Sequence, residues 1–186
     1  LFAWKGVDAW KKQNIWKIDH DTAQRFLLAL ARFKLEVEAV RFAAIFPSDG
    51  KQLSEEEREK MTPEQVNFER VNSVYRERFE KLKVMDSDLR AVSLEAWSIW
   101  GGEVNELMAP VVGLKNELMR EIGIYLTEIN PDVPPRWREA YANMSDRNRN
   151  YVWDTGKDDD PFRLQFEPAC DAVEKYLRKK AERVSS

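Results

Sequence analysis

Residues 21–46 read DTAQRFLLALARFKLEVEAVRFAAIF, and this stretch decides the fold. Its apolar side chains recur at alternating spacings of three and four, which predicts a helix with one stripe packed against other helices. The stripe consists of Ala23, Phe26, Leu30, Phe33, Val37, Val40 and Ala44. We expect Asp19 or Asp21 to cap the start of this helix, and the sequence Pro-Ser-Asp-Gly at 47–50 to end it.

Three further long helices follow from local start signals. The sequence Thr62-Pro63-Glu64-Gln65 is a capping box with a proline at the first helical position, and it predicts a second helix. The sequence Asp86-Ser87-Asp88 predicts the start of a third helix, which would run through Gly101-Gly102 and use these glycines for close packing. The fourth is predicted to start at Asp160-Pro161, or at Pro168. Short helices are expected near residues 54–57, which form a capping box, and near 137–144.

These elements predict an all-α fold, an antiparallel bundle of about four long helices with short helices in the connections. The content of 7 Gly and 8 Pro argues against a turn-rich β-sandwich or barrel. We interpret residues 1–18 as a separate N-terminal segment rich in Trp and Lys, and residues 19–186 as a single helical-bundle domain.

Composition narrows the possible chemistry. The net charge of −3 argues against a nucleic-acid binder. Cys170 is the only cysteine, which excludes an internal disulfide and is typical of a reducing compartment such as the cytoplasm. His20 is the only histidine, which excludes the two-histidine zinc motif and the ferritin-like di-iron site. Asp154 and the run 158–160 do not match an EF-hand loop. We therefore assign no catalytic, cofactor-binding or metal-binding residue, expect no cofactor, and lean towards a protein without enzymatic activity.

The N-terminal segment carries Trp4, Trp10 and Trp16 together with four Lys and one Asp. Trp beside Lys is typical of the point where a membrane helix leaves the bilayer. Because the chain begins with Leu1, one hypothesis is an upstream membrane helix, which would place the domain at the cytoplasmic face. The alternative is a trimmed or disordered start, followed by Trp residues that dock on the bundle. A spacing of six scatters these residues around a helix, so part of the segment is expected to be irregular.

A second group of aromatic and basic residues lies in the long connection 130–160. This mixture is typical of protein-interface hot spots and also of sites that stack single-stranded nucleic acid. The acidic neighbours favour a surface loop held down by its Trp, with a protein interface as the next alternative. The residues of this candidate surface are Arg136, Trp137, Arg138, Arg149, Tyr151 and Trp153.

The sequence Asp-Ala-Trp-Lys-Lys-Gln at 8–13, the stretch 21–41 and the sequence Ala96-Trp97 to Trp100-Gly101 with Glu103 carry a resemblance. Together they resemble uncharacterised bacterial and phage proteins that have an N-terminal membrane segment followed by a helical domain. Residues 14–18 replace the glycine-containing spacer of that group. The resemblance implies an upstream membrane anchor, and it implies no activity.

The function we expect is therefore that of a non-enzymatic helical domain that binds another protein or itself. The N-terminus adds a membrane as a further partner, and the composition disfavours nucleic acid. Two alternatives from other classes stay open. One is a metal-binding protein or enzyme that uses carboxylates alone, and the other is an accessory protein that binds nucleic acid.

Overall fold

A computed structural model describes residues 2–144, 149–154, 156 and 158–182, with the side chains of residues 2–9, 12, 149 and 150 excepted. Every regular element in these ranges is a helix, which confirms the predicted all-α fold. The long helices are α1 (Phe2–Arg41), α3 (Pro63–Trp100), α4 (Glu103–Glu128) and α7 (Arg163–Glu182). The short helices are α2 (Glu55–Glu59), α5 (Pro135–Met144) and α6 (Arg149–Val152).

The four long helices form a closed ring in which α1 and α4 each pack against both α3 and α7. Residues later in α1 contact residues earlier in α3 and in α7. These contacts include Arg25–Glu95, Val40–Arg78, His20–Ala181 and Lys34–Glu174. The pairing shows that α1 runs antiparallel to both α3 and α7, so the predicted antiparallel bundle is confirmed.

The apolar stripe of α1 lies in the core, as the sequence predicts. Its members from Ala23 to Val40 are at most 1% exposed, and they pack with Leu82, Leu118 and Ile122 of the other long helices. Ala44 lies beyond the end of α1 and is half-buried. Because full burial of one Leu or Phe stabilises a fold by about 1.5–3 kcal/mol, this stripe is a principal source of the bundle's stability.

The start of α1 differs from the prediction. The helix begins at Phe2, so Asp19 and Asp21 are internal to it and cap nothing. The carboxylate of Asp19 instead accepts a hydrogen bond of 2.8 Å from Nε1 of Trp100. The expectation of irregular backbone in the first segment is wrong, because helix formation does not require a single apolar stripe when no proline interrupts the chain.

The boundary between α3 and α4 also differs. The predicted second and third helices meet in one helix, and Asp86 accepts hydrogen bonds from Lys115 and Arg90 rather than capping a start. The break falls at Gly101, whose φ of +83° and ψ of −162° belong to a region that almost only glycine adopts. A Cβ on Gly101 or Gly102 would meet nothing within 4 Å, so these residues make a turn and allow no close helix approach.

α1 ends at Arg41, before the predicted stop at 47–50, whereas both capping boxes are confirmed. Ser54 caps α2 and Thr62 caps α3, each through a complete capping box. The last helix begins at Arg163, and the carboxylate of Asp160 accepts from the backbone N–H of Arg163 at 2.9 Å. Pro168 is inside α7, and the alternative start there is wrong.

Candidate interaction surfaces

The predicted contact residues of α5 lie near the surface. Trp137 is 52% exposed, and the guanidinium of Arg136 lies 5.5 Å from the centre of its ring. Arg138 is half-buried, and its Nε is buried without a hydrogen-bond partner among the described residues. The exposed pair of Arg136 and Trp137 is therefore the part of this surface that a partner can reach.

Tyr151 and Trp153 point back into the bundle. Nε1 of Trp153 donates a hydrogen bond of 3.1 Å to the hydroxyl of Tyr75, and the Trp153 ring stands edge-on to Tyr125 at 5.1 Å. Tyr151 is 8% exposed and stacks edge-on against Phe162. These contacts hold the connection to the bundle through its aromatic residues and leave Tyr151 with almost no surface for a partner. The side chain of Arg149 lies outside the described residues.

A buried ion pair between Arg41 and Asp160 holds the connection 130–160 to the end of α1. Arg41 is 4% exposed and Asp160 is fully buried, and Nη2 of Arg41 lies 3.0 and 2.8 Å from the two carboxylate oxygens. The Arg41 guanidinium also donates to the backbone carbonyls of Tyr151 and Trp153, both at 3.0 Å, and lies 4.6 Å from the centre of the Phe162 ring. One cation at the end of α1 thus holds two loop carbonyls and the residue that caps α7.

Arg41 is not a member of the core stripe, and its burial could not be predicted from the sequence. Nothing local marks it, since its partners lie 110 to 119 residues away in the chain. The neighbouring carboxylate of Asp154 pairs with Arg163 at 3.0 Å. Within the described ranges, no three His, Cys, Asp or Glu side chains come together as metal ligands would.

The single cysteine and the single histidine both make structural contacts. Cys170 is fully buried, and burial raises the pKa of its thiol to about 12, so the thiol stays protonated at neutral pH. Nδ1 of His20 lies 3.2 Å from the carbonyl oxygen of Ala181, and the ring stacks on Trp16 at 5.1 Å. Neither side chain has the setting of an activated catalytic group.

The N-terminal part of α1 exposes several apolar side chains. Trp10 is 62% exposed, Ile15 60% and Ile18 51%, whereas Trp16 is half-buried by its stacking on His20. Trp4 lies within the helix, and its side chain is outside the described residues. None of the helices in the described part of the chain combines the length and the apolarity that crossing a bilayer requires.

The sequence analysis missed a second apolar stripe on α1, which we call the outer stripe. Its members are Leu28, Ala31, Leu35 and Ala39, together with Phe42 directly after the end of α1, and all of them are exposed. Leu28, Leu35 and Phe42 are 52%, 63% and 53% exposed and are spaced by seven residues, so they follow one side of the helix, away from the core. The signal was present in the same 21–46 sequence, between the positions of the core stripe.

A groove adjoins the outer stripe between α1 and α3. It has a volume of about 290 Å³, and its floor is formed by Ala29, Met85 and Val92. Leu28 belongs both to the outer stripe and to the groove, so the two form one continuous apolar surface. Arg32 lines the groove and makes no ion pair within the described part of the chain.

Relatives offer no guide to which of these surfaces is used. Comparisons of the chain with known protein families, with characterised proteins and with solved structures gave no match.

Proposed function

We propose that this chain is a helical interaction domain whose outer stripe and adjoining groove bind an amphipathic helix of a partner protein. The exposure of Leu28, Leu35 and Phe42 on one side of α1 carries this proposal. Contiguous apolar surface of this kind is rare on soluble proteins unless another molecule covers it. Large apolar side chains are also exposed elsewhere, such as Leu94 on α3 and Leu164 on α7, but those of the outer stripe recur every seven residues along one side of α1.

The spacing of the outer stripe favours a helix as the partner element. Steps of three and four residues along α1 produce the holes into which side chains of a second helix pack. The groove beside Leu28 offers room for one large apolar side chain. Arg32 and Asp88 also line the groove and make no ion pair within the described residues, so charged groups of both signs on the partner would add specificity.

The test begins with a photo-crosslinking amino acid at position 35, or at position 94 as the control. Leu94 is 64% exposed on α3, against 63% for Leu35 on α1, so the two sites match in accessibility. Mass spectrometry of the linked peptides identifies the partner segment. We expect position 35, and not position 94, to link to a segment with one apolar helical face.

The peptide identified in this way is then synthesised, and its affinity is measured by fluorescence anisotropy. We expect Leu35→Glu to weaken binding by about 30-fold or more, the size of an interface hot spot, and Leu94→Glu to leave it unchanged. Equal binding by both variants would overturn the proposal. A dimer that Leu35→Glu dissolves in sedimentation equilibrium would also overturn it, because the stripe would then bind a second copy.

A second candidate function is contact between the N-terminal part of α1 and the cytoplasmic face of a membrane. Exposed Trp10, Ile15 and Ile18 alternate with the exposed Lys11 and Lys17, a combination that suits the lipid headgroup region. The resemblance to proteins with an N-terminal membrane segment supports the same location. We expect the protein to co-sediment with phosphatidylserine vesicles, and Trp10→Ser to reduce this binding more than Trp137→Ser. Equal binding by both variants, or no binding by the parent chain, would refute the membrane contact.

A further inference from the structure

A pocket of about 310 Å³ lies between the connection that precedes α3 and the first turns of α3. We call it the α3 pocket. Its apolar walls are Pro47, Leu53, Pro63 and Val66. It is separate from the outer stripe, and it is large enough for a small organic molecule.

The charged residues that line the α3 pocket are all cations, namely Lys51, Arg58 and Arg70. Nζ of Lys51 is engaged by the carboxylate of Glu57 at 2.8 Å, and this contact lowers the pKa of Glu57 to about 2. Arg58 and Arg70 make no ion pair within the described residues. Nη2 of Arg70 donates to Asn67 at 2.8 Å, and its Nε is buried without a hydrogen-bond partner there.

Arg58 and Arg70 lack an ion pair although carboxylates are plentiful nearby. Residues 47–70 contain seven Asp and Glu, yet the ones that find partners pair with Lys51 and Lys60. Both guanidinium groups therefore lack a carboxylate acceptor, and an oxygen anion bound in the pocket would supply one.

The walls of the α3 pocket are held in place before any ligand binds. Gly50, with φ of +71°, lies so close to α3 that a Cβ would meet Oγ of Ser73 at 2.3 Å. The backbone N–H of Lys51 donates to that same oxygen at 2.9 Å. The capping box at Ser54 fixes the start of α2, and the capping box at Thr62 fixes the start of α3, so both ends of the segment 54–62 are held. A ligand would therefore meet a formed site and lose little affinity to ordering it.

We propose that the α3 pocket binds a small organic anion, with its carboxylate or phosphate group held by Arg58 and Arg70 and its apolar body against Leu53 and Val66. The planar fork of each guanidinium matches both kinds of oxygen anion. This site does not depend on the proposed partner helix, since the outer stripe contributes no residue to it.

Isothermal titration calorimetry with benzoate, phenyl phosphate, inorganic phosphate and uncharged benzyl alcohol tests the site. We expect saturable one-to-one binding of benzoate or phenyl phosphate, and the tighter of the two identifies the charged group. Inorganic phosphate should bind more weakly than phenyl phosphate because it leaves the apolar walls uncovered. Binding of benzyl alcohol as tight as that of benzoate, or no saturable binding of any probe, would overturn the proposal.

Variants separate this site from a general effect of charge. Arg70→Gln and Arg58→Gln should each weaken anion binding about tenfold or more, the value of one charge-assisted hydrogen bond. Arg58 is exposed, so its variant keeps the test valid if Arg70→Gln fails to fold. Lys60→Gln is the control, because Lys60 is exposed and pairs with Glu56 outside the pocket. Equal losses in all three variants would refute a specific site.

Discussion

Replacing Arg41 with Met tests whether the ion pair with Asp160 holds the long connection to the bundle. Methionine preserves much of the side-chain volume but removes the charge and all the donors. The Asp160 carboxylate, which is fully buried, would then lose its contacts with Arg41 and keep the hydrogen bonds from the backbone N–H groups of Phe162 and Arg163. The carbonyl oxygens of Tyr151 and Trp153 would also lose the Arg41 hydrogen bonds.

The size of the effect follows from burial. Removing one partner of a buried ion pair costs about 3–5 kcal/mol, because the other charge stays in a poorly solvated place. For a chain of this length, such a loss lowers the melting temperature by about 6–20 °C. The matched control is Arg25→Met on the same helix, because Arg25 pairs with Glu95 where both side chains are more than a third exposed. An exposed pair contributes about 0–1 kcal/mol.

Urea denaturation followed by circular dichroism measures both variants, and an unchanged slope with urea confirms that the same surface unfolds. Combining Arg41→Met with Asp160→Asn should cost less than the sum of the two single changes, since the second removes the buried charge that the first deprives of its Arg41 contact. If Arg41→Met destabilised the fold no more than Arg25→Met does, the buried pair would not be the anchor of the connection.

Three further results are expected. Gly101→Ala should cost about 1–3 kcal/mol in thermal unfolding because its φ of +83° suits almost only glycine, whereas Gly102→Ala, at φ −66°, should change stability by less than about 1 kcal/mol. Cys170, buried with a pKa of about 12, should react with a disulfide reagent only at the rate of unfolding, and fast labelling of the native protein would contradict this. Lys51→Met should raise the pKa of Glu57 from about 2 towards its ordinary value, as carboxyl NMR shifts against pH would show. Because that pKa is lowered in the fold, the associated stability is present above the ordinary Glu value and is lost as the pH falls towards 2.

The core and the helix caps could be predicted because their causes are local. The stripe from Ala23 to Val40 repeats with the period of the helix, and each capping box closes within four residues. Helix ends without such signals were misplaced. Asp86-Ser87-Asp88 has the composition of a helix start, yet Asp86 lies within α3 and accepts a hydrogen bond from Lys115. The true break at Gly101 depends on a backbone angle that composition does not reveal.

The polar contacts that organise the connection could not be predicted from pattern. Arg41 and Asp160 are each ordinary surface residues by type, and only the packing of α1 against α7 brings them together. The aromatic residues of the connection were recognised as important. The sequence could not predict which of these side chains face solvent and which pack on the bundle. Trp137 is exposed, whereas Trp153 packs on Tyr125. The residue type indicates which kinds of contact a side chain can make. Whether the partner is the bundle or another molecule depends on the fold.

The outer stripe shows why one helix can hide a second signal. Phe26, Leu30 and Phe33 define the core face of α1. The pattern of a single amphipathic helix is then complete, so a second apolar stripe is easily overlooked. Leu28 and Leu35 fall on the opposite side, where the charged residues of an amphipathic helix are expected. A helix that is apolar on two sides gains nothing from the second side while it faces water. The core stripe accounts for the folding of α1, and the proposed partner helix would account for the outer stripe.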